Sequence, residues 1–502
     1  MSLNELATAV EKLAQVSHTF SDVDMSQPFH WRKHGEGVRL ALIGTTHELQ
    51  DLAATLAAKR SQSGPATTLV QQVLGQYHTA YRELQSTLLR IEDDHFEKEP
   101  AAGEWSLRTT VGHIFAAERT FFALIISGKE QKLAGQERPY SFPDGEVARI
   151  VGNQDEFYDL IDNQPLADIL QRYDQFHQRV LAELAGLTDE QFLGASPVWW
   201  EEEEYSLQYR LHRFVAHMRQ HHIQIEKTLH LLSVPESEAH RFLRLVFRAL
   251  ASVENCSIGA PIPDHAHLQA LSAMILERAE AIQKVVAQCR TLETAVNDND
   301  LATVQHITQQ SPSLASAFSQ NRLSLLMNAV YQRKTAVADA LQAAGAKPDI
   351  FAAAALGDMA RLQELVEEWP GYLERFTKDG FTPLQLACYF DQEAAALWLI
   401  EQGADVNVVA KNQMKIAPIH AAATHGNLII LRALLENGAD VNAAQDGGFT
   451  AVHQAGHRNN VPMALLLLEF GADPHQPDSR GTSALQMAQA EGNEAVTAVL
   501  NA

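Results

Sequence analysis

The chain has 502 residues, enough for about three domains at the usual ~150 residues each. With 46% apolar and 20% charged residues it has the composition of an ordinary folded protein, not a disordered one. Its formal net charge of −23 sets nucleic acid and anionic membrane aside as expected partners, because phosphate affinity rests on lysine and arginine displacing counterions, and no basic run with interleaved aromatics offsets it. The first residues, Met1 to Val10, lack the basic-then-apolar layout of a signal peptide. The most apolar stretch, Phe121 to Ile126, falls far short of the ~20 residues that cross a bilayer. Cys256, Cys289 and Cys388 are too widely spaced for a disulfide framework or a cysteine metal site, and read as isolated thiols of a reducing cytosol. A cytoplasmic location is therefore expected.

In chain order, residues 1–62 read as helices without a motif. Within them His30 and His34 sit in Pro28-Phe29-His30-Trp31-Arg32-Lys33-His34-Gly35, which reads as a helix start with solvated histidines. Ser61-Gln62-Ser63-Gly64-Pro65 marks a domain boundary. Next, Glu104-Trp105-Ser106-Leu107 opens a helix capped by Ser106, with His113 two turns in, ahead of Ile114, Phe115, Phe121 and Phe122. The same opening recurs as Glu204-Tyr205-Ser206-Leu207, after the acidic turn Trp199 to Glu204.

A long periodic segment, Ser206 to Leu232, follows, with Leu207, Leu211, Phe214, Met218, Ile225 and Leu229 on its apolar face. His217 and His221 lie in it four residues apart, about 400° of rotation and ~6 Å of rise, so both imidazoles leave one face of the helix. His212 and His222 point elsewhere on the wheel. The chain has three His-x-x-x-His pairs, where 22 histidines in 502 residues give about one by chance, so the spacing alone does not make a metal site.

Trp-Ser-x(6)-His on one helix and His217-Met218-Arg219-Gln220-His221-His222-Ile223-Gln224-Ile225-Glu226 on the last one resemble the DinB/YfiT-like superfamily. The resemblance covers about 67–232. It implies a four-helix bundle with helices near 67–92, 107–127, 165–186 and 207–232, binding one divalent metal through His113, His217 and His221. Residues 128–164 are too long for a hairpin turn and long enough to cross a bundle, so the second and third helices should run parallel and the fourth antiparallel to the second. At 1.5 Å of rise per residue the ligand levels then miss by several ångströms. Three neutral imidazoles suit zinc, nickel, iron or copper without choosing among them. Three protein ligands leave coordination open for water or substrate, as catalytic sites do. The resemblance also implies thiol-dependent transferases and isomerases among possible activities. Glu118 and Glu226 are candidates to orient the ligand histidines, or else exposed helix glutamates.

Residues 236–290 read as a helical connector, periodic over Glu238 to Val253 and His267 to Gln288 and broken by Gly259-Ala260-Pro261-Ile262-Pro263. From about 291 to 502 the chain repeats itself. Thr382-Pro383-Leu384-Gln385-Leu386-Ala387 returns as Ala417-Pro418-Ile419-His420-Ala421-Ala422, Thr450-Ala451-Val452-His453-Gln454-Ala455 and Ser483-Ala484-Leu485-Gln486-Met487-Ala488, at steps of 35, 33 and 33 residues. Gly403-Ala404-Asp405, Gly438-Ala439-Asp440 and Gly471-Ala472-Asp473 alternate with them. This resembles the ankyrin repeat, in about six units, with weaker ones from Leu323 and Ile350. The pair His453/His457 falls on the ankyrin histidine slot, where the ring bonds backbone instead of metal.

The expected fold is all-α: an N-terminal helical segment (1–62), a DinB-like metal-binding four-helix bundle (63–235), a helical connector (236–290) and an ankyrin-repeat solenoid (291–502). The expected function is metal-dependent chemistry, transferase- or hydrolase-like, on a small molecule such as a thiol, with the array binding a protein partner. The alternative is a non-enzymatic interaction or sensor protein whose bundle is structural. No catalytic residue is assigned by the sequence.

Overall fold

A computed structural model describes residues 2–30, 35, 37–63, 66–134, 145–194, 205–261 and 264–502. Among the described residues every regular element is helical, apart from two isolated bridges, Phe318 with Ser324 and Pro477 with Ser483. The chain divides into two units, Met1–Val286 and Ala287–Ala502.

The first unit contains α1 (Ser2–Ser17), α2 (Arg39–Ser63), α3 (Leu69–Leu88), α4 (Asp93–Phe96), α5 (Leu107–Leu133) and α6 (Glu146–Val151). It continues with α7 (Gln154–Asn163), α8 (Leu166–Leu184), α9 (Asp189–Leu193), α10 (Leu207–Leu231) and α11 (Glu238–Asn255), and enters α12 (His265–Asp298). Helix starts follow side-chain chemistry. Thr68 accepts from the Gln71 N–H while the Gln71 side chain accepts from the Thr68 N–H, a reciprocal pair that satisfies two otherwise orphaned donors. Ser106 Oγ accepts from the Thr109 N–H at 3.1 Å, and Ser206 Oγ from the Tyr209 N–H at 3.2 Å. Each such cap contributes about 1 kcal/mol.

The four long helices α3, α5, α8 and α10 share one apolar core, with Leu74, Tyr77, Ile114, Phe122, Val180, Leu211, Phe214 and Met218 fully buried in it. Phe115 stacks on Tyr173 at 4.7 Å and Phe122 meets Phe176 at 5.6 Å, so α5 and α8 run in the same direction. Phe121 meets Phe214 at 5.7 Å while His113 meets His221 at 4.6 Å, so α10 runs against α5. This is the arrangement that the long 128–164 connection implies. By length and composition α5 could cross a membrane, but its apolar residues Val111, Ile114, Phe115, Phe122, Ala123 and Ile125 are spent in this core.

A second core joins the N-terminal segment to residues 239–286, packing Leu6, Leu13, Leu42 and Leu49 against Leu243, Leu250, Ile275 and Ile282. Within it Arg278 is fully buried and donates to Glu48 Oε2 at 2.7 Å and to the Thr45 hydroxyl. Helix α11 packs on both α2 and α3. Its Glu254 takes two bonds from Arg82, at 2.9 and 2.5 Å, and one from His78 at 2.7 Å. Burial alone would raise the Glu254 carboxyl, but Arg82 and His78 outweigh it and hold it down to about 2. Cutting the chain at 235 would take Glu254 from Arg82, only 3% exposed, and leave it the single long contact to Glu11 at 3.4 Å.

In the second unit, α13 (Leu301–Gln310) precedes six helix pairs. These are α14 (Leu325–Tyr331) with α15 (Thr335–Ala343), α16 (Ile350–Leu356) with α17 (Met359–Glu368), and α18 (Pro383–Tyr389) with α19 (Glu393–Glu401). The last three are α20 (Pro418–His425) with α21 (Leu428–Glu436), α22 (Ala451–His457) with α23 (Val461–Glu469), and α24 (Ala484–Ala490) with α25 (Glu494–Leu500). In the later repeats one polar position reaches into the next. Gln385 Nε2 donates to Val408 O at 3.1 Å and Ile416 O at 2.6 Å, and His420 bonds Ala443 O at 2.8 Å. A second row of rungs comes from asparagine: Asn407 donates to Gly438 O at 2.9 Å and accepts from the Asp440 N–H at 2.8 Å. Asn442 does the same toward Gly471 and Asp473, at 3.1 and 2.8 Å. Gly403, Gly438 and Gly471, at φ of +87°, +88° and +85°, end the outer helices in the left-handed conformation that favours glycine.

Candidate metal centre

Three imidazoles from two antiparallel helices meet at one point. His113 stands on α5, and His217 and His221 stand one turn apart on α10; one ring nitrogen from each lies within 4.8 Å of the other two. The Nε2 atoms of His113 and His217 are 3.2 Å apart. The several-ångström mismatch expected from helix rise alone is thus closed. The group holds these three and no fourth ligand among the described residues.

Burial favours the neutral form of two of the three rings, His113 and His217. Burial and then the charge of His221 lower His113 below the ordinary imidazole value. His217 is pushed down to about 4 by burial, with repulsion from His221, His113 and Arg213 adding to it. His221 is buried, and its Nδ1 lies 2.8 Å from Gln224 Oε1. An amide oxygen only accepts, so the Nδ1 of His221 is the donor in this bond. The His217 Nδ1 is buried and has no hydrogen-bond partner. Aromatic rings wall the cluster: Trp105 lies 5.0 Å from His113 and stacks at 6.1 Å on His221, and Phe121 is 6.1 Å from His217. Three imidazoles, two of them nitrogen to nitrogen, are a donor set suited to a divalent transition ion.

The other sequence candidates go elsewhere. His30 is exposed, and His34 and the Trp199 to Glu204 turn lie outside the described residues. His453 is fully buried with Nδ1 2.8 Å from the Thr450 hydroxyl and Nε2 3.2 Å from Thr482 O, so both nitrogens serve the repeat. His457 faces Glu491 at 2.7 Å. Neither proposed orienting acid touches the trio. Glu118 accepts from the Tyr77 and Tyr173 hydroxyls at 2.7 and 2.6 Å, and Glu226 pairs with Arg90 at 2.8 Å and Arg244 at 2.7 Å. Helical rotation separates Glu118 from His113 by about 140° on α5, which points it into the core between α3 and α8. His222 bonds the Thr87 hydroxyl at 2.7 Å. The residue that does orient a candidate ligand, Gln224, stands in the His-x-x-x-His-x-x-Gln string itself. Another group of potential ligands, Glu92, Asp94 and His95, is largely exposed.

Comparison with known proteins agrees with this architecture. Residues 76–225 match the DinB superfamily, residues 379–411 an ankyrin repeat and residues 419–468 the many-copy ankyrin repeats. The chain is 34% identical over 111 residues to the rat (Rattus norvegicus) ankyrin repeat and SAM domain-containing protein 6, covering 21% of this chain and 12% of that protein. The mouse (Mus musculus) counterpart is 32% identical over 111 residues, with the same shares of 21% and 12%. Alpha-latrocrustotoxin-Lt1a of Latrodectus tredecimguttatus is 33% identical over 146 residues, 28% of this chain and 10% of the toxin. The chain thus spans only about a tenth of the length of the curated relatives it matches.

Proposed function

We propose that this chain, a DinB superfamily domain joined to ankyrin repeats, is a metal-dependent transferase or hydrolase-like protein acting on a small molecule, a thiol foremost. Its repeats recruit a protein partner. The observation that carries the catalytic half is the convergence of His113, His217 and His221 with three ring nitrogens within 4.8 Å and no fourth protein ligand among the described residues. These three would hold a zinc, nickel, iron or copper ion. A bound divalent ion supplies Lewis acidity, which brings water or a thiol to its deprotonated form near neutral pH. The chain's own part is to keep the His113 and His217 imidazoles neutral by burial, to orient His221 through Gln224, and to flank the cluster with Trp105 and Phe121. An all-protein, closed centre is the non-enzymatic rival.

Cobalt substitution separates the two. In the cobalt-loaded chain, a small thiol or imidazole is expected to change the visible absorption spectrum, since an open coordination position takes an added ligand. An unchanged spectrum at saturating thiol marks a closed, structural site.

For the repeats, the supporting feature is a groove of about 420 Å³ between successive units, where Lys347, Arg361, Arg375 and Lys378 surround Phe351 and Phe376. Basic and aromatic lining in a chain of net charge −23 suits an acidic protein segment. Lys411 extends the same rim, its ammonium 3.8 Å over the Phe376 ring. Lys378→Glu and Lys411→Glu are expected to weaken capture of a protein partner by about 1 kcal/mol per site, more at low salt, because exposed charges act mainly on association. Metal content should not change. A pull-down that retains nucleic acid and no protein at physiological salt refutes this half of the reading.

A further inference from the structure

On the far side of α5 from the three histidines a second cavity opens. Phe115 and Arg119 lie about 200–240° around the helix from His113. Together with α7, α8 and the turn Val151 to Asn153 they enclose about 390 Å³, a volume suited to a small organic molecule. The floor is aromatic: Phe115, Phe157 and Phe176 are each at most 9% exposed. The polar lining is unbalanced, with Arg119, Arg172 and Arg179 against the single acid Glu156.

Arg119 is the unusual group. It is 8% exposed and its guanidinium carbon lies 3.9 Å above the centre of the Phe157 ring. Its Nη2 donates to the carbonyls of Val151, Gly152 and Asn153 at 3.1, 3.3 and 3.5 Å. Among the described residues no carboxylate pairs with it, and its Nε and Nη1 have no acceptor. A buried guanidinium without a counter-charge is costly, and carbonyl dipoles only partly compensate. The cost is raised further by Arg172, whose repulsion, after burial itself, holds the Arg119 guanidinium down to about 10. Arg172 in turn has one long bond, 3.4 Å to Gln175, and no ion pair among the described residues. Arg179 differs, being already paired with Glu183 at 2.6 Å.

We propose that this cavity binds a small organic oxyanion with an aromatic or branched apolar body, its acid group held between Arg119 and Arg172 and its body against Phe115, Phe157 and Phe176. The planar guanidinium fork matches a carboxylate or a phosphate ester, and an anion there relieves the like-charge crowding. The site is separate from the histidine cluster, so its occupant need not be the substrate of that centre.

Calorimetric titration of the full chain with 2-naphthoate, 2-naphthyl phosphate and the neutral 2-naphthalenemethanol tests this. Saturable one-to-one binding of an anion is expected, with the alcohol bound at least roughly tenfold more weakly, the worth of a charge-assisted contact. Comparison of the two anions tells a carboxylate preference from a phosphate one. Arg119→Gln also loosens the turn at 151–153, so the deciding variant is the exposed Arg172→Gln. It should weaken the anion roughly tenfold and leave metal content and helicity unchanged, while Arg458→Gln in the repeats has no effect. Absence of saturable anion binding, equal binding of alcohol and anion, or indifference to Arg172→Gln overturns the proposal.

Discussion

Alanine at His113 or at His217 is expected to take the purified, metal-refilled chain from one bound divalent ion to almost none. Losing an outer group that merely orients a ligand costs roughly 10–100-fold in metal affinity, and losing a ligand itself costs more. Two imidazoles alone also leave His217 and its neighbours without the convergence that the 3.2 Å approach of His113 provides. His30→Ala and His453→Ala serve as controls, because the first ring is exposed and the second is occupied by Thr450 and Thr482. Elemental analysis after chelation and refilling reads the result. A wild-type chain that takes up no stoichiometric metal removes the catalytic reading altogether, and a control that loses metal moves the site elsewhere.

The second large effect is expected at Glu118, in the core between α3 and α8. It is fully buried, and burial pushes its carboxyl up to about 8 even though the Tyr77 and Tyr173 hydroxyls both donate to it and pull the other way. The folded chain therefore favours the neutral acid. Between the ordinary 4.5 and about 8 the folded state keeps a proton that the unfolded state has released, so this group's contribution falls as pH rises through that window. Full ionisation would cost at most about 5 kcal/mol. Glu118→Gln keeps the shape and the polar contacts without the charge. Its stability relative to wild type, from urea midpoints, should therefore improve by several kcal/mol between about pH 5 and about pH 9. A difference that stays flat across those conditions would mean that the wild-type carboxyl titrates normally, through water reaching the site.

Much of this was legible in the residues. Helix starts at 107 and 207 follow from Ser106 and Ser206 as caps and the apolar period, all local signals. The repeats announce themselves because each unit contains its own caps and glycine. The histidine trio was accessible as a pattern, but the approach of His113 to His217 spans 104 residues and depends on how α5 and α10 slide past each other. Spacing along one helix carries no information on that. The roles of Glu118 and Glu226 escaped for the same reason: each is a helix glutamate in sequence, and only packing shows one facing two tyrosines and the other two arginines. Residues 1–62 and 236–290, featureless when read apart, acquire their meaning from each other through a shared core. The cavity with Arg119 has no motif, since it assembles single residues from three helices and a turn.

The asparagine rungs of the repeats have a consequence for how this gene can change. Asn407 reaches only Gly438 and Asp440, and Asn442 only Gly471 and Asp473, so each rung is satisfied by whatever unit comes next. Duplication or deletion of the unit that carries Asn407 or Asn442 leaves an asparagine again facing a Gly-Ala-Asp turn, so the rung pattern survives. The histidine centre has no such tolerance, because its ligands come from two helices whose relative register must be held. Length variation among descendants of this chain should therefore accumulate in the array, where the reach to a partner is set, while the bundle drifts by substitution alone.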